Sequence, residues 1–319
     1  MKIQPIDLSG VTTYPIGERK NKVSLQYDFA GEITPGMSVS ALLAALPNQL
    51  GGESLNAIIN TIVNAREKGK PVVIGIGGHV IKCGLQPVLK KLIEADIVTA
   101  VAMNGSATIH DYEISLIGET SEDVGAVLHC GTFGMAEETG RDINGAVASG
   151  VADGIGYGEA LGRFIIENKN PHRDFSLLAT CYENEIPATV HVAVGTDIIH
   201  QHPACDGALL GQATFTDFKL FTAVVSSLGD GGVYLNIGSA VIMPEVFLKA
   251  LSVAQNMGFH VDNFTTANFD MTQHYRPLQN VVKRPTSGAS RGLTITGHHE
   301  IMLPLLAAGI LDRIGASHG

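Results

Sequence analysis

The sequence predicts an α/β protein built on a doubly wound, mainly parallel sheet flanked by helices. Short apolar runs such as VVIGI at 72–76 alternate with amphipathic helical segments, and many of the 37 glycines directly follow these runs. A strand, a helix and a second strand lie between 71 and 103 with short connections, so they form a βαβ unit with parallel strands and a right-handed crossover. Glycine after a strand is typical of strand-to-helix turns in such proteins.

The predicted elements cover most of the chain beyond its first 30 residues. Residues 1–30 lack clear periodicity and are predicted to be an N-terminal arm, which leaves 31–319 as a single α/β domain. The segment 109–185 is predicted to be mainly helical. Strands are predicted at 71–76, 97–103, 188–194, 232–237, 261–266 and 293–296, and helices at 38–46, 54–68, 85–93, 214–228, 244–257 and 299–314.

The composition argues against nucleic-acid and membrane partners. The formal net charge is -10, and no dense Lys/Arg cluster suggests a basic nucleic-acid face. No run of apolar residues reaches the ~18 that a membrane-spanning helix needs, and the N-terminus does not resemble a signal peptide. The four cysteines lie far apart, which favours neither a zinc ribbon nor a disulfide scaffold. A cytoplasmic protein with reduced thiols is therefore expected.

Unusual residues follow several of the predicted strands, where open parallel sheets bind their ligands. One such turn is a weak signal for a phosphate site, but several on successive strand ends favour a dinucleotide, which needs several anchors. The first turn lacks the third glycine of G-x-G-x-x-G, since Val80 stands there, so a simple tight turn remains an alternative. The turns are Gly77-Gly78-His79, Asn104-Gly105-Ser106, the run 195–207 and Gly238-Ser239-Ala240.

Two histidine groups have alternative interpretations. His200 and His202, with Cys205 and Asp206, resemble a zinc site, but they accompany neither H-E-x-x-H nor C-x-x-C, so we expect no metal and interpret them as a loop or a subunit contact. His298 and His299 begin a predicted helix and either bind an anion or cap that helix.

Lys283 lies in the segment FTTANFDMTQHYRPLQNVVKRPTSG, next to Val281, Val282 and Pro285. Partial desolvation by these neighbours would favour the neutral, nucleophilic amine. An ordinary surface lysine is the alternative.

From about residue 70 the chain resembles the deoxyhypusine synthase family. The likeness follows the motifs VVIGIGGHVIKCG, MNGSATIHDYE, PACDGALLG, NIGSAVIMPE, FTTANFD, VVKRP and HHEIMLPLLAAG, in that order. The resemblance implies a Rossmann-like NAD-binding fold and a homotetramer with active sites between subunits. It also implies oxidation of spermidine with NAD and transfer of the aminobutyl group, through an imine on a lysine, to a lysine of a translation-factor precursor.

The resemblance also implies roles for individual residues. Lys283 would form the imine, His110 and Asp111 would transfer protons, and Asp206 would face the substrate. The cofactor would contact the three short turns, the strand FTTANFD and the last helix: Gly77, Gly78, His79, Asn104, Gly105, Ser106, Gly238, Ser239, Ala240, Thr265, Thr266, His298 and His299.

The chain departs from the family at two cofactor contacts, where Gly238-Ser239-Ala240 stands for a triple glycine and His298-His299 for Asp-Ala, and at the substrate loop. The chain has no tryptophan, YRPLQNV replaces the acidic loop that grips the polyamine, and Pro244 or Glu245 replaces a histidine. Arg276 and Glu245, together with Asp206, are predicted to contact the substrate, and Arg276 and His274 in that loop favour a less cationic one. The main hypothesis is an NAD-dependent aminoalkyl transferase that acts on a small amine and a second amine or protein lysine. The alternatives are an NAD-dependent enzyme with another substrate, or a non-catalytic nucleotide-binding module.

Overall fold

The computed structural model describes residues 3–316 and contains one six-stranded sheet, in which every paired strand is parallel to its neighbour. The strands are β1 (Val72–Ile76), β2 (Ala100–Asn104), β3 (Ala188–His191), β4 (Val233–Ile237), β5 (Thr265–Asp270) and β6 (Arg291–Thr296). Their order is β3-β2-β1-β4-β5-β6, so the chain reverses its direction of travel across the sheet between β1 and β4. This doubly wound, Rossmann-like architecture confirms the predicted fold class.

Helices cover both faces of the sheet, as right-handed crossovers between parallel strands require. The helices are α1 (Val39–Ala44), α2 (Leu50–Glu67), α3 (Gly78–Lys82), α4 (Gln86–Glu94), α5 (Gly105–Ile117), α6 (Val124–Val127), α7 (Glu137–Ala152), α8 (Tyr157–Glu167), α9 (Leu177–Glu183), α10 (Gly207–Ser226), α11 (Ile242–Asn256), α12 (Tyr275–Pro277) and α13 (His299–Ala316). A π-helical turn, Leu278–Lys283, directly follows α12.

Strand β5 is displaced along the sequence from its predicted position. We predicted a strand at 261–266, but the ladder with β4 begins at Thr265 and runs to Phe269. The polar residues of β5 are nevertheless buried, because Asn268 receives a hydrogen bond from Asn236 at 2.7 Å and donates one to Gln273 at 2.8 Å. Apolar pattern alone therefore missed the carboxyl half of this strand.

The N-terminal segment has few contacts with the sheet and its helices. Residues 3–38 contain a single 3-10 turn at Ile16–Glu18, and α1 is the first α-helix. Before Ser38, which caps α1, two hydrogen bonds attach the segment to the rest of the described chain: Gly31 N to the Ala45 carbonyl at 2.9 Å, and Gln49 Nε2 to the Asp28 carbonyl at 3.2 Å. Its apolar side chains are exposed, among them Ile6, Leu8, Tyr14, Leu25 and Phe29.

None of the helices between residues 3 and 316 combines the length and the apolar character that crossing a membrane would require.

Candidate functional site

The turns after β1 and β4 touch each other at the point where the strand order reverses. Gly77 N donates a hydrogen bond to the Ile237 carbonyl at 3.0 Å, and a β-carbon on Gly77 would collide with the Gly238 carbonyl. Gly238 has a φ of +64°, and its β-carbon would lie 2.8 Å from Nε2 of His299. Close packing of two turns therefore requires glycine at both positions.

Close packing also requires glycine at position 78, on the other side of the turn. A β-carbon there would lie 2.6 Å from Ser106 Oγ and 3.2 Å from His110 Cδ2, because α3 and α5 begin side by side. The sequence IGIGGH is thus a tight turn between two neighbouring strand ends rather than a G-x-G-x-x-G loop that has lost a glycine. His110 consequently lies next to the switch point of the sheet.

The polar residues of the other two short turns cap helices. Asn104 Oδ1 accepts from Ala107 N and from Ser106 Oγ, each at 3.1 Å, at the start of α5. Ser239 Oγ accepts from Met243 N at 3.1 Å at the start of α11. These caps fix the first turns of two helices whose N–H groups point toward the carboxyl edge of the sheet.

The two adjacent histidines at the start of α13 differ in their surroundings. His299 is buried beside Gly238, its Nδ1 has no hydrogen-bond partner among residues 3–316, and burial lowers its pKa. The His79 ring, which is exposed, lies edge-on to it with 6.0 Å between ring centroids. His298 is exposed and pairs with Glu300 at 3.6 Å. Only His299 therefore faces the switch point.

A cavity of about 590 Å³ lies along α5, between Lys82 of α3 and the residues that follow β3, Thr196 and Asp197. Its polar lining contains more carboxylates than basic groups, so it suits a cationic ligand better than an anionic one. The titratable side chains of the lining are Lys82, His110, Glu113, Glu119, Glu122 and Asp197, and Ser106, Thr120, Ser121 and Thr196 add hydroxyl groups.

His110 is the titratable residue that connects the cavity with the turn after β1. Burial lowers its pKa to about 4, and the nearby positive charge of Lys82 acts in the same direction. The ring is therefore neutral near pH 7 and able to accept a proton. Its Nδ1 lies 2.7 Å from Thr120 Oγ1, so one ring nitrogen is already engaged.

Asp197 is a cavity residue that we did not predict individually. It follows β3, and a β-carbon on Gly105 would collide with its carboxylate, so the two strand ends are in close contact. Its Oδ2 is buried without a hydrogen-bond partner in the described residues, 3.8 Å from Nε2 of His200. Burial raises its pKa to about 6. The only sequence feature that pointed to Asp197 as a site residue was its position in a polar run after a predicted strand.

Asp111 faces away from this cavity, contrary to its predicted part in proton transfer. Its buried carboxylate accepts hydrogen bonds from Ser176 Oγ at 2.6 Å and from the backbone N–H of Leu177 and Leu178 at 2.7 and 3.1 Å. Burial raises its pKa to about 6, and these three donors oppose the rise. The physical role of Asp111 is to anchor the first turn of α9 to α5.

Lys283 lies on the surface, so the expected desolvation by its neighbours is not observed. The preceding π-helical residues pack along β5, where Thr266 Oγ1 donates to the Val281 carbonyl at 2.7 Å.

Thr265 and Thr266 begin β5, whereas the ligand edge lies beyond Asp270, about 13 Å farther along the strand at 3.3 Å per residue. Within one chain, Lys283, Thr265 and Thr266 therefore all lie away from the glycine turns.

The predicted substrate residues also lie apart from the cavity. Glu245 lies in the first turn of α11 and pairs with Arg276 at 3.4 Å, with Lys249, and with Asn280 Nδ2 at 2.9 Å. These contacts lower the Glu245 pKa, the Lys249 contact most. Asp206 is exposed and caps α10 by accepting from Ala208 N at 2.7 Å.

The histidines of the run 195–207 are held by neighbouring protein groups. His200 Nδ1 accepts from Gly195 N at 3.0 Å and from Asp197 N at 3.2 Å, and His202 Nε2 lies 3.3 Å from Glu137 Oε2. Across residues 3–316, no three or more His, Cys, Asp or Glu side chains are grouped so as to hold a metal ion.

Comparison of the sequence with protein families finds no family model that matches, and comparison with curated proteins finds no match either. Solved structures do match. One is a "conserved putative LOR/SDH protein" from Methanococcus maripaludis S2, with 15% identity and a TM-score of 0.51 over 89% of this chain and 74% of that one.

Two further solved structures have the same architecture. A "putative deoxyhypusine synthase" from Entamoeba histolytica is 11% identical, with a TM-score of 0.50 over 87% of this chain and 94% of that one. The ternary complex of AgrE with ornithine and NAD+ is 15% identical, with a TM-score of 0.50 over 82% of this chain but only 33% of that one. At these identities the similarity shows a shared fold, and the chain spans about a third of AgrE.

Proposed function

We propose that this protein is an NAD-dependent enzyme that oxidises the C–H bond beside the nitrogen of a small amine to give an imine. The observation that carries the proposal is the position of His110, which lies against Gly78 at the switch point and also lines the acidic cavity. A cofactor at the turns and a substrate in the cavity would meet at this residue.

The fit of the switch point to NAD rests on its own polar groups. His299 Nδ1 is buried and has no partner in the described part of the chain, which is costly unless a ligand supplies one. The N-terminal turns of α5, α11 and α13 all begin at the carboxyl edge, where they attract phosphate oxygens. Residues that would hold the dinucleotide are Gly77, Gly78, His79, Asn104, Gly105, Ser106, Gly238, Ser239, Ala240 and His299.

NAD, when bound, supplies a hydride acceptor. The chain's own part begins with substrate binding, in which the carboxylates of the cavity, Asp197 foremost, hold the ammonium group. The amine reacts in its neutral form, after the bound ammonium has lost a proton to solvent. With NAD bound, loss of hydride from the adjacent carbon would give an iminium ion, and neutral His110 would accept its N–H proton to give the imine.

A second candidate reaction continues from the imine to Lys283. Transfer of the carbon skeleton would require the Lys283 amine to replace the substrate nitrogen, as the deoxyhypusine synthase resemblance implies. In its own chain, the exposed Lys283 lies near the amino-terminal half of β5 and away from the cavity. It would therefore take part in this reaction only at the cavity of another copy of the chain. A protein lysine or a small amine would then be the acceptor.

Self-association is part of the same proposal. The exposed apolar side chains of the N-terminal segment would be covered by another copy of the chain, which supports a homo-oligomer such as a tetramer.

The test of the proposed function uses the purified full chain. Isothermal titration with NAD+ should show saturable binding, and incubation with NAD+ and single amines, including spermidine and ornithine, should produce NADH with at least one of them. Replacement of His110 by glutamine should lower the rate of NADH formation by roughly 100-fold or more while NAD+ still binds. Failure of NAD+ to bind would overturn the proposal, and binding without turnover of any amine would favour a nucleotide-binding module.

A further inference from the structure

Thr120 lies between a histidine and a carboxylate at the wall of the cavity. Its Oγ1 is 2.7 Å from His110 Nδ1 and is also hydrogen-bonded to Glu113 Oε2. His110 and Glu113 lie three residues apart on α5 and so share one face of that helix. Gly118, with a φ of +75°, ends the helix in the left-handed region, and the chain then brings Thr120 back against that face.

The direct path between the histidine and the carboxylate is too long for a hydrogen bond. His110 Nδ1 and Glu113 Oε2 are 4.0 Å apart, whereas each lies within bonding distance of the threonine hydroxyl. Glu113 is held at its other oxygen by Thr139 Oγ1 at 3.1 Å, which comes from α7. Two hydroxyl groups from different elements thus keep this carboxylate in place.

The number of protons fixes the direction of both hydrogen bonds. The Thr120 hydroxyl has a single proton and donates it to Glu113 Oε2. The oxygen of Thr120 must then accept a hydrogen bond, and its donor is the N–H at His110 Nδ1. In a neutral imidazole this leaves the lone pair on Nε2, for which the described residues supply no hydrogen-bond partner.

We propose that Glu113, acting through Thr120, is a positioning residue that holds neutral His110 in the tautomer with the proton on Nδ1. Nε2, the nitrogen bonded to the ring carbon that lies against Gly78, is thereby presented as the proton acceptor. The use of that acceptor in catalysis rests on the proposed function. The tautomer itself follows from the three side chains alone and is measurable without substrate or cofactor.

The low proton affinity of His110 is consistent with this arrangement. Burial lowers its pKa to about 4, so the ring is neutral near pH 7, and the position of its single proton is then the relevant variable. A neutral imidazole without such partners favours the proton on Nε2. The Thr120–Glu113 pair therefore has to work against the intrinsic preference of the ring.

The experiment is a long-range ¹H–¹⁵N spectrum of the full chain labelled with ¹⁵N-histidine, near pH 7 and without ligand. The signal of His110 is identified by its loss in His110→Gln. We expect a protonated-type Nδ1 and an unprotonated-type Nε2 in the native protein, and a shift toward the opposite pattern in Thr120→Val. Thr120→Ser retains the hydroxyl and should restore the native pattern.

Thr132→Val is the matched control, because Thr132 lies beyond α6 in the same connection between α5 and α7, and its hydroxyl bonds only to the Val127 carbonyl at 3.4 Å. It should leave the His110 signals unchanged. A native protein with its proton on Nε2 overturns the proposal, whether or not the variants fold, and so does an unchanged pattern in folded Thr120→Val. If the tautomer is as stated but NAD+ does not bind, the proposed function fails and the positioning role of Glu113 stands.

Discussion

A β-carbon on Gly238 would lie 2.8 Å from Nε2 of His299, so the turn after β4 and the start of α13 are fitted to each other around a missing side chain. Gly238→Ala should therefore combine a steric clash with left-handed backbone strain. We expect a loss of about 1–3 kcal/mol in the free energy of unfolding, measured by urea denaturation, together with weaker NAD+ binding by calorimetry.

Gly84→Ala separates strain from clash in this experiment. Gly84 has a φ of +68°, close to that of Gly238, but a β-carbon there would meet nothing within 4 Å. It should lose only the part of the stability that comes from backbone strain, and NAD+ binding should be retained. Equal losses of stability and of NAD+ affinity in the two variants would contradict the assigned role of His299.

The second prediction concerns the acidic side of the pH profile. Asp197 has a pKa raised to about 6 by burial, and only its ionised form attracts an ammonium group, so substrate binding should be present above that pH and lost below it. His110, with a pKa of about 4, is neutral across this range. The apparent kcat/KM should therefore fall as pH decreases through about 6.

Asp197→Asn tests the assignment of that pH dependence. The amide is isosteric but cannot ionise, so kcat/KM should be lower at pH 7 and should lose its inflection near pH 6. The remaining fall should move toward the pKa of His110, about 4. Persistence of the original inflection in the variant would assign it to another group.

The third prediction is the effect of removing His110 as a proton acceptor. His110→Gln should lower the turnover of amine by roughly 100-fold or more, the usual contribution of a general base, while NAD+ affinity changes little. Thr132→Val again serves as the control, because its hydroxyl lies outside the His110 contacts. A variant with native turnover would exclude His110 as the base.

Much of the fold could be predicted from local pattern. Buried apolar runs such as VVIGI and short connections determine a βαβ unit, and the structure confirms the parallel sheet. The position of His110 at the carboxyl edge also follows, because its helix begins immediately after a predicted strand. Helix geometry alone already separates it from Asp111, since consecutive residues point about 100° apart around the axis.

Other site features depend on contacts between distant parts of the chain. Asp197 meets Gly105 because β3 pairs with β2, and that order is not encoded in either segment alone. The position of Lys283 depends on a π-helical turn that returns along β5, for which apolar periodicity gives no signal. Thr120 reaches His110 only because Gly118 reverses the chain after α5.

Asp111 provides a prediction about stability rather than activity. Asp111→Ala should leave the Leu177 and Leu178 N–H groups buried without an acceptor, at a cost of about 3 kcal/mol in the free energy of unfolding. Turnover per folded molecule should stay within a few-fold of the native value, because the carboxylate does not line the cavity. A stable but inactive variant would restore Asp111 to the proton-transfer machinery.

The pH dependence of stability gives a second readout for the same carboxylate. Its pKa is raised from 3.8 to about 6 in the folded protein, so folding favours the protonated form. That contribution is fully present below the unfolded pKa and is lost as pH rises through about 6. Urea denaturation between pH 4 and 7 should show a weaker decline with rising pH in Asp111→Ala than in the native protein.

Lys283 distinguishes the two candidate reactions. If the reaction ends at the free imine, Lys283→Met should leave NADH formation within about twofold of the native rate and the free energy of unfolding within about 0.5 kcal/mol, because the side chain is exposed. Lys82→Met is the comparison variant, because Lys82 lines the cavity and its positive charge lowers the pKa of His110.

Borohydride reduction during turnover, followed by peptide mass spectrometry, should give no adduct on Lys283. An adduct there, together with loss of product formation in Lys283→Met, would instead establish transfer through a lysine imine and would require a neighbouring copy to bring Lys283 to the cavity.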